Sequence, residues 1–172
     1  MANEQDLQKC KNHKNGLSGT DLSDTDLSGT DLSSTDLSGI DLSGADLHGA
    51  LFLEANLNGA DLNGANLNGA YLREADMRGS QLGLTDLREA NLRLANLSGA
   101  KLGLANLSGA DLFSADLRSA ILGRAILNNA DLRDADLRDA NLDGATLKEA
   151  IYNNHTKWTE GFDPKAAGAT KA

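Results

Sequence analysis

Residues able to do chemistry recur along this chain at fixed intervals. Ser23, Ser28, Ser33, Ser38 and Ser43 each follow an aspartate by two positions, and Ser18 extends the same ladder. A serine nucleophile needs a base within hydrogen-bond reach. The only histidine in that block, His48, occupies the same kind of outward position as the serines, so no convergent pocket is indicated. His13, His48 and His155 are widely separated, and no Cys/His spacing fits a zinc site. The glycine-and-aspartate nonapeptide of calcium-binding β-rolls is absent, as is a glycine-rich phosphate loop ending in Lys and Ser/Thr. Cys10 is the sole cysteine, which rules out an internal disulfide. The expectation is a protein that is not an enzyme, with no catalytic residues, no metal and no cofactor.

The elements carrying these residues are set by a five-residue unit, Ala-(Asp/Asn)-Leu-x-x. Stepping by five from Leu17 to Tyr152 meets 28 central positions. Of these, 25 are Leu, the exceptions being Phe52, Met77 and Tyr152, so the register is unbroken. Two residues before each centre from Leu22 on stands a small residue, usually Ala, otherwise Thr, Ser80 or Ile40. Two inward residues flanking one outward residue is the alternation of a short strand. A helix would rotate each Leu by about 500° from the last and smear the set around its cylinder. Glycine often stands two residues after the centre, as at Gly39, Gly59 and Gly69, where a corner needs unusual dihedrals. Short strands and corners in alternation make a solenoid. Spacing alone leaves three or four sides open; pairs such as Leu51/Tyr71 and Leu84/Leu104, twenty apart, point towards four.

The unit resembles the pentapeptide-repeat family, with the match covering about residues 15–154, and the C-terminal segment resembles that of cyanobacterial members. The resemblance implies an all-β fold, a right-handed quadrilateral parallel β-helix of about seven coils. Residues 1–14 are expected as an N-terminal cap or tail, with Cys10 in register with the inward small positions. Residues 155–172 leave the repeat. Trp158 and Phe162 are expected to cap the open end, with Pro164 stopping further strand pairing and 166–172 forming a mobile tail.

Charge is uneven along the rod. Residues 15–72 hold nine acids and no Lys or Arg, whereas residues 73–154 hold twelve acids against ten bases. The whole chain carries a formal charge of −9. Asp21, Asp26, Asp31, Asp36, Asp41, Asp46 and Asp61 make up most of the acidic half. An Asp or Asn before each Leu also suits turn chemistry, bonding nearby backbone amides. Aspartates stacked about 4.8 Å apart repel, so an unrelieved acidic half admits a functional reading beside solubility. Some members of the family are DNA mimics that occupy DNA gyrase; others are interaction scaffolds without an assigned role. A DNA-mimicking inhibitor of DNA gyrase is therefore the alternative reading, and a non-enzymatic scaffold is the leading one.

Outward apolar residues are the remaining candidates. Leu51, Leu53, Tyr71, Leu94 and Phe113 fall on one side if the period is twenty, and they form the expected protein-contact surface. Leu84, Leu104 and Ile121 fall on the opposite side. The expected partners are proteins, with no direct binding of nucleic acid and no membrane span, in a monomer or weak homodimer. No secretory leader or spanning stretch is evident, so the cytoplasm is the expected compartment.

Overall fold

The computed structural model describes residues 17–172. The cap expected over residues 1–14, with Cys10, lies outside them. From Asp21 on, outward residues pair in parallel with the residue twenty positions later: Asp21 with Asp41, Asp26 with Asp46, Asp31 with Leu51, Asp36 with Asn56. Four such columns in twenty residues give each circuit four sides, and the chain is a repeat β-helix. Sides are named below by their members Leu82, Leu87, Leu92 and Leu97.

With Asp or Asn at its first position, the unit gives each of its backbone N–H groups a destination. In the pentapeptide beginning at Asp61, the Asp61 N–H donates to the Ile40 carbonyl of the preceding circuit (2.9 Å), and the Leu62 and Gly64 N–H groups donate to Gln81 and Gly83 of the next (2.8 and 2.9 Å). The Ala65 N–H closes the corner on the Leu62 carbonyl (3.1 Å). The fifth donor, at Asn63, lies at the turn and is taken by the Asp61 side chain (3.0 Å). A side-chain acceptor two residues upstream is thus part of the corner, which is why Asp or Asn recurs there.

Each corner places its second turn residue in the left-handed region. From Gly19 to Glu149 every such residue has φ between 55° and 72°, whether or not it is glycine. Fifteen of them are not glycine, so the solenoid carries repeated backbone strain that its packing must outweigh.

The core lies inside the four-sided tube. Leu22, Leu62 and Leu102, two circuits apart on one side, have no exposed surface, and neither do Phe52 and Met77 where they replace Leu. Inward hydroxyls are tied to carbonyls: Thr25 donates to Leu22, Thr85 to Leu62, Ser80 to Met77 and Thr156 to Leu132. Burial without a partner would cost about 1–3 kcal/mol each.

The C-terminal segment departs from expectation at its tail. Trp158 packs edge-on to Tyr152 (5.6 Å between ring centres) and stacks on Phe162 (5.2 Å), and both Trp158 and Phe162 lie against the core. Residues 166–172 do not form a loose tail. Strand β1 (Ile151–Tyr152) pairs in parallel with β2 (Thr170–Lys171). Pro164 removes one donor, but its own carbonyl accepts from Ala169 (2.9 Å) in a turn that brings the chain back to the rod. Gly168, at φ 93°, fits against the Lys148 backbone, where a Cβ would crowd.

Candidate interaction surfaces

The seven aspartates do not share a face. Successive pentapeptides turn corners, so Asp21, Asp41 and Asp61 stack on the Leu82 side, Asp26 and Asp46 on the Leu87 side, Asp31 on the Leu92 side and Asp36 on the Leu97 side. Each also accepts a corner N–H through Oδ1, from Ser23, Ser28, Ser33, Ser38, Ser43, His48 and Asn63 at 2.9–3.2 Å. Asn56 and Asn66 make the same turn and donate across to Asp36 and Asp46 (2.9 Å each), which relieves repulsion in those columns. The Asp21/Asp41/Asp61 column has no such Asn. Hydrogen bonds from Ser23, side chain first and then backbone, hold the Asp21 carboxyl below its ordinary range.

On the later circuits the same slot builds internal ion pairs. Arg78, Arg88, Arg118, Arg133 and Arg138 each fold back onto the aspartate two residues earlier at 2.5–2.6 Å. Hydrogen bonds from these arginines lower the carboxyls of Asp76, Asp86 and Asp116. Asp136, held by Arg138 with Lys157 3.5 Å away, falls to about 2. The mixed charge of this half is therefore mostly neutralised within single strands.

The apolar residues of the Leu92 side separate into two environments. Leu51 (36% exposed), Leu53 (42%) and Tyr71 (54%) lie on adjacent circuits, and Leu94 (48%) lies on the next. Phe113 is half-buried instead, covered by the Arg93 guanidinium at 4.3 Å from its ring centre, with Arg133 at 5.8 Å. Arg93 is itself held by Asp111 (3.2 Å). Phe113 thus belongs to a closed cation–π stack rather than to the open apolar patch. Ile151, on the same side, belongs to β1 and pairs with Thr170 of β2.

The Leu82 side is more exposed than sequence reasoning credited. Leu84 is 69% and Leu104 52% exposed, and Ile121 stands between Leu104 and the Arg124 corner. The signal available in the sequence was the loss of Asp/Asn at positions 81, 101 and 121, which leaves those corners without their own side-chain cap.

At the C-terminal end an open cleft of about 430 Å³ lies between Ala140–Gly144 of the last circuit and Thr159–Phe162 of the cap. Among the described residues no helix is long and apolar enough to cross a membrane.

The family profile of Pentapeptide repeats matches in eight copies, over residues 17–49, 50–89, 90–129 and 115–151. No curated protein sequence matches. Among solved structures the chain is similar to HetL, a pentapeptide repeat protein involved in heterocyst differentiation regulation in the cyanobacterium Nostoc. Identity is 31%, with 98% of this chain and 92% of that one covered, at a TM-score of 0.40. It is also similar to a pentapeptide repeat protein of the Arabidopsis thaliana thylakoid lumen, with 34% identity, 62% and 70% coverage and a TM-score of 0.43. QnrB1, a plasmid-mediated fluoroquinolone resistance protein, is 19% identical over 76% of this chain and 83% of that one, at a TM-score of 0.39.

Proposed function

Because the chain belongs to the pentapeptide repeat family, we propose that it is a non-enzymatic interaction protein that presents rod faces to protein partners. The finer fold belongs to the same proposal, a right-handed winding of about seven circuits. The observation that carries the reading is the group Leu51, Leu53 and Tyr71, exposed on adjacent circuits of one side. Leu51 and Tyr71 occupy slots where Asp or Asn would cap the corner, so apolar surface stands where the fold favours a polar residue. A clustered apolar set of this kind marks a contact surface. The experiment is capture of partners from the source cell with wild type and Tyr71→Glu. The variant should keep the fold, because Tyr71 is outward, and lose the partner. Equal capture by both would refute this site.

A second reading rests on the acidic first circuits. Nine acids over about three circuits give one charge per about 1.5 Å of rod at strand spacing, near the ~1.7 Å of duplex DNA. On that basis the rod would inhibit DNA gyrase by mimicking DNA. Its test is a supercoiling assay with wild type and with Asp21, Asp26, Asp31, Asp36, Asp41 and Asp46 all changed to Asn. Asn already fills this slot at Asn56, Asn66 and Asn96 with the same turn bond. Inhibition by wild type alone supports mimicry; no inhibition, or equal inhibition by both, refutes it.

A further inference from the structure

The Leu82 side breaks the rules of its own solenoid on three consecutive circuits. Positions 81, 101 and 121 hold Gln, Lys and Ile where Asp or Asn would cap the corner. The Gly83 N–H finds Asn63 of the preceding circuit instead (2.8 Å), whereas the Gly103 and Gly123 N–H groups have no acceptor among the described residues. Glycine stands at the first turn position, where φ does not require it, and Leu84 and Leu104 stand at the second, at φ 59° and 61°. The usual order of the repeat, a polar residue followed by Gly, is reversed. Left-handed backbone at a branched apolar residue, exposure of that residue and, at Gly103 and Gly123, an uncapped corner each oppose stability.

The charges on this side are also unmatched. Arg73, Arg78, Arg88, Arg93, Arg118, Arg133, Arg138 and Lys148 all have a carboxylate partner in the rod. Lys101 and Arg124, both on the Leu82 side, have none among the described residues. The same side carries Asp21, Asp24, Asp41 and Asp61 towards the N-terminal end, with no cationic partner among the described residues. The face is therefore acidic over its N-terminal circuits, apolar in the middle and basic at Lys101 and Arg124, with Asp143 on the circuit beyond them.

We propose that the Leu82 side is a self-association face, on which a second copy of the chain lies antiparallel about a two-fold axis at the level of Leu84. That axis sets each circuit above Leu84 against the equally distant circuit below it in the other copy. Lys101 then meets the second copy's Asp61, and Arg124 meets the second copy's Asp41, each pair occurring twice. Leu84 meets the second copy's Leu84 at the centre, and each Leu104 lies over the second copy's Gly64, where the absence of a side chain admits close approach. A parallel arrangement would set acid against acid and base against base along the whole face, whereas here like charges meet only at the outermost circuits, where Asp143 faces the second copy's Asp21 and Asp24. The antiparallel contact is isologous and closes at two copies rather than growing into a filament. At about 4.8 Å per circuit the face is about 30 Å long and one side wide, at the small end of specific interfaces. The dimer is therefore concentration-dependent. It uses a different face from the proposed partner site, so the two readings stand or fall separately.

Sedimentation velocity from 5 to 500 µM, at low and high salt, tests the proposal. Wild type should move from monomer to dimer over this range, and less so in high salt. Leu84→Gly/Leu104→Gly should lose association while melting no lower than wild type, since glycine relieves the left-handed corners. Lys101→Glu/Arg124→Glu should weaken association at least tenfold, and Asp41→Asn/Asp61→Asn, which keeps the turn caps, should weaken it too. Mixing Lys101→Glu/Arg124→Glu with Asp41→Lys/Asp61→Lys should restore a heterodimer that neither variant forms alone. A wild type that stays monomeric at 500 µM overturns the proposal. So does association that survives the charge changes, or that is lost on Tyr71→Glu instead.

Discussion

Exchanging glycine and non-glycine residues at the second turn position should move stability in opposite directions. Gly59, Gly69 and Gly79 sit at φ 64–65°, and a Cβ built on any of them meets nothing within 4 Å. Alanine there adds no clash and removes no contact, so only the backbone term changes. An L-residue in the left-handed region costs about 1–2 kcal/mol, and the reduced freedom of the unfolded chain returns about 0.4–1 kcal/mol. Each substitution should then cost about 1 kcal/mol, and Gly59→Ala/Gly69→Ala/Gly79→Ala about 3 kcal/mol if the sites add. Ser119 is exposed at φ 55°, and its hydroxyl makes no hydrogen bond among the described residues. Ser119→Gly should therefore stabilise by about 0.5–1 kcal/mol, the reverse of glycine's usual effect in regular structure. Urea unfolding followed by circular dichroism reads both signs from the midpoint, provided the slope is unchanged. A triple-alanine variant within about 1 kcal/mol of wild type would refute the reasoning, as would destabilisation by Ser119→Gly. Either result would mean the corners relax out of the left-handed region at little cost.

Two further expectations concern the core and the ion pairs. Leu82, at mid-rod with no exposed surface, should not tolerate Asp. A buried unpaired carboxylate is costly, and each circuit depends on its neighbours, so Leu82→Asp should abolish the cooperative transition, and a single sharp melt at the wild-type temperature would contradict this. Asp136 is depressed to about 2 chiefly by hydrogen bonds from Arg138. A depressed folded pKa contributes stability that is complete above the unfolded value of about 3.9 and is lost as pH falls towards 2. Arg138→Gln should raise the Asp136 titration midpoint and narrow that window, with the backbone N–H of residue 138 and Lys157 still opposing the rise; carboxyl chemical shifts followed against pH would show no movement if Arg138 were not the cause.

Much of the fold was legible in the repeat. Leu at the centre and the small residue two positions earlier face inward along the rod, and where Asp or Asn stands between them it caps the following corner, as turn chemistry anticipates. The twenty-residue pairing of Leu51 with Tyr71 agrees with the four-sided reading that spacing alone left open. Surface roles were less legible. Phe113 reads as an outward apolar residue, yet Arg93 and Arg133 from the neighbouring circuits cover it. Residues 166–172 read as a tail because they are mostly small and lie past a proline, yet β2 pairs with β1 once a turn returns the chain to the rod.

The division follows from the range of the interactions. Inward or outward placement and corner geometry are decided within five residues, by side-chain alternation and by the destination of each local N–H, so the sequence by itself determined them. Which outward residues become neighbours is decided by contacts twenty residues apart on one side of the rod. Those contacts set Arg93 over Phe113, stack Asp21 on Asp41 without an intervening Asn, and leave Lys101 and Arg124 without an ion pair among the described residues. Only the closed circuit brings such residues together, so only the tertiary structure could decide which charges are matched and which apolar residues stay open.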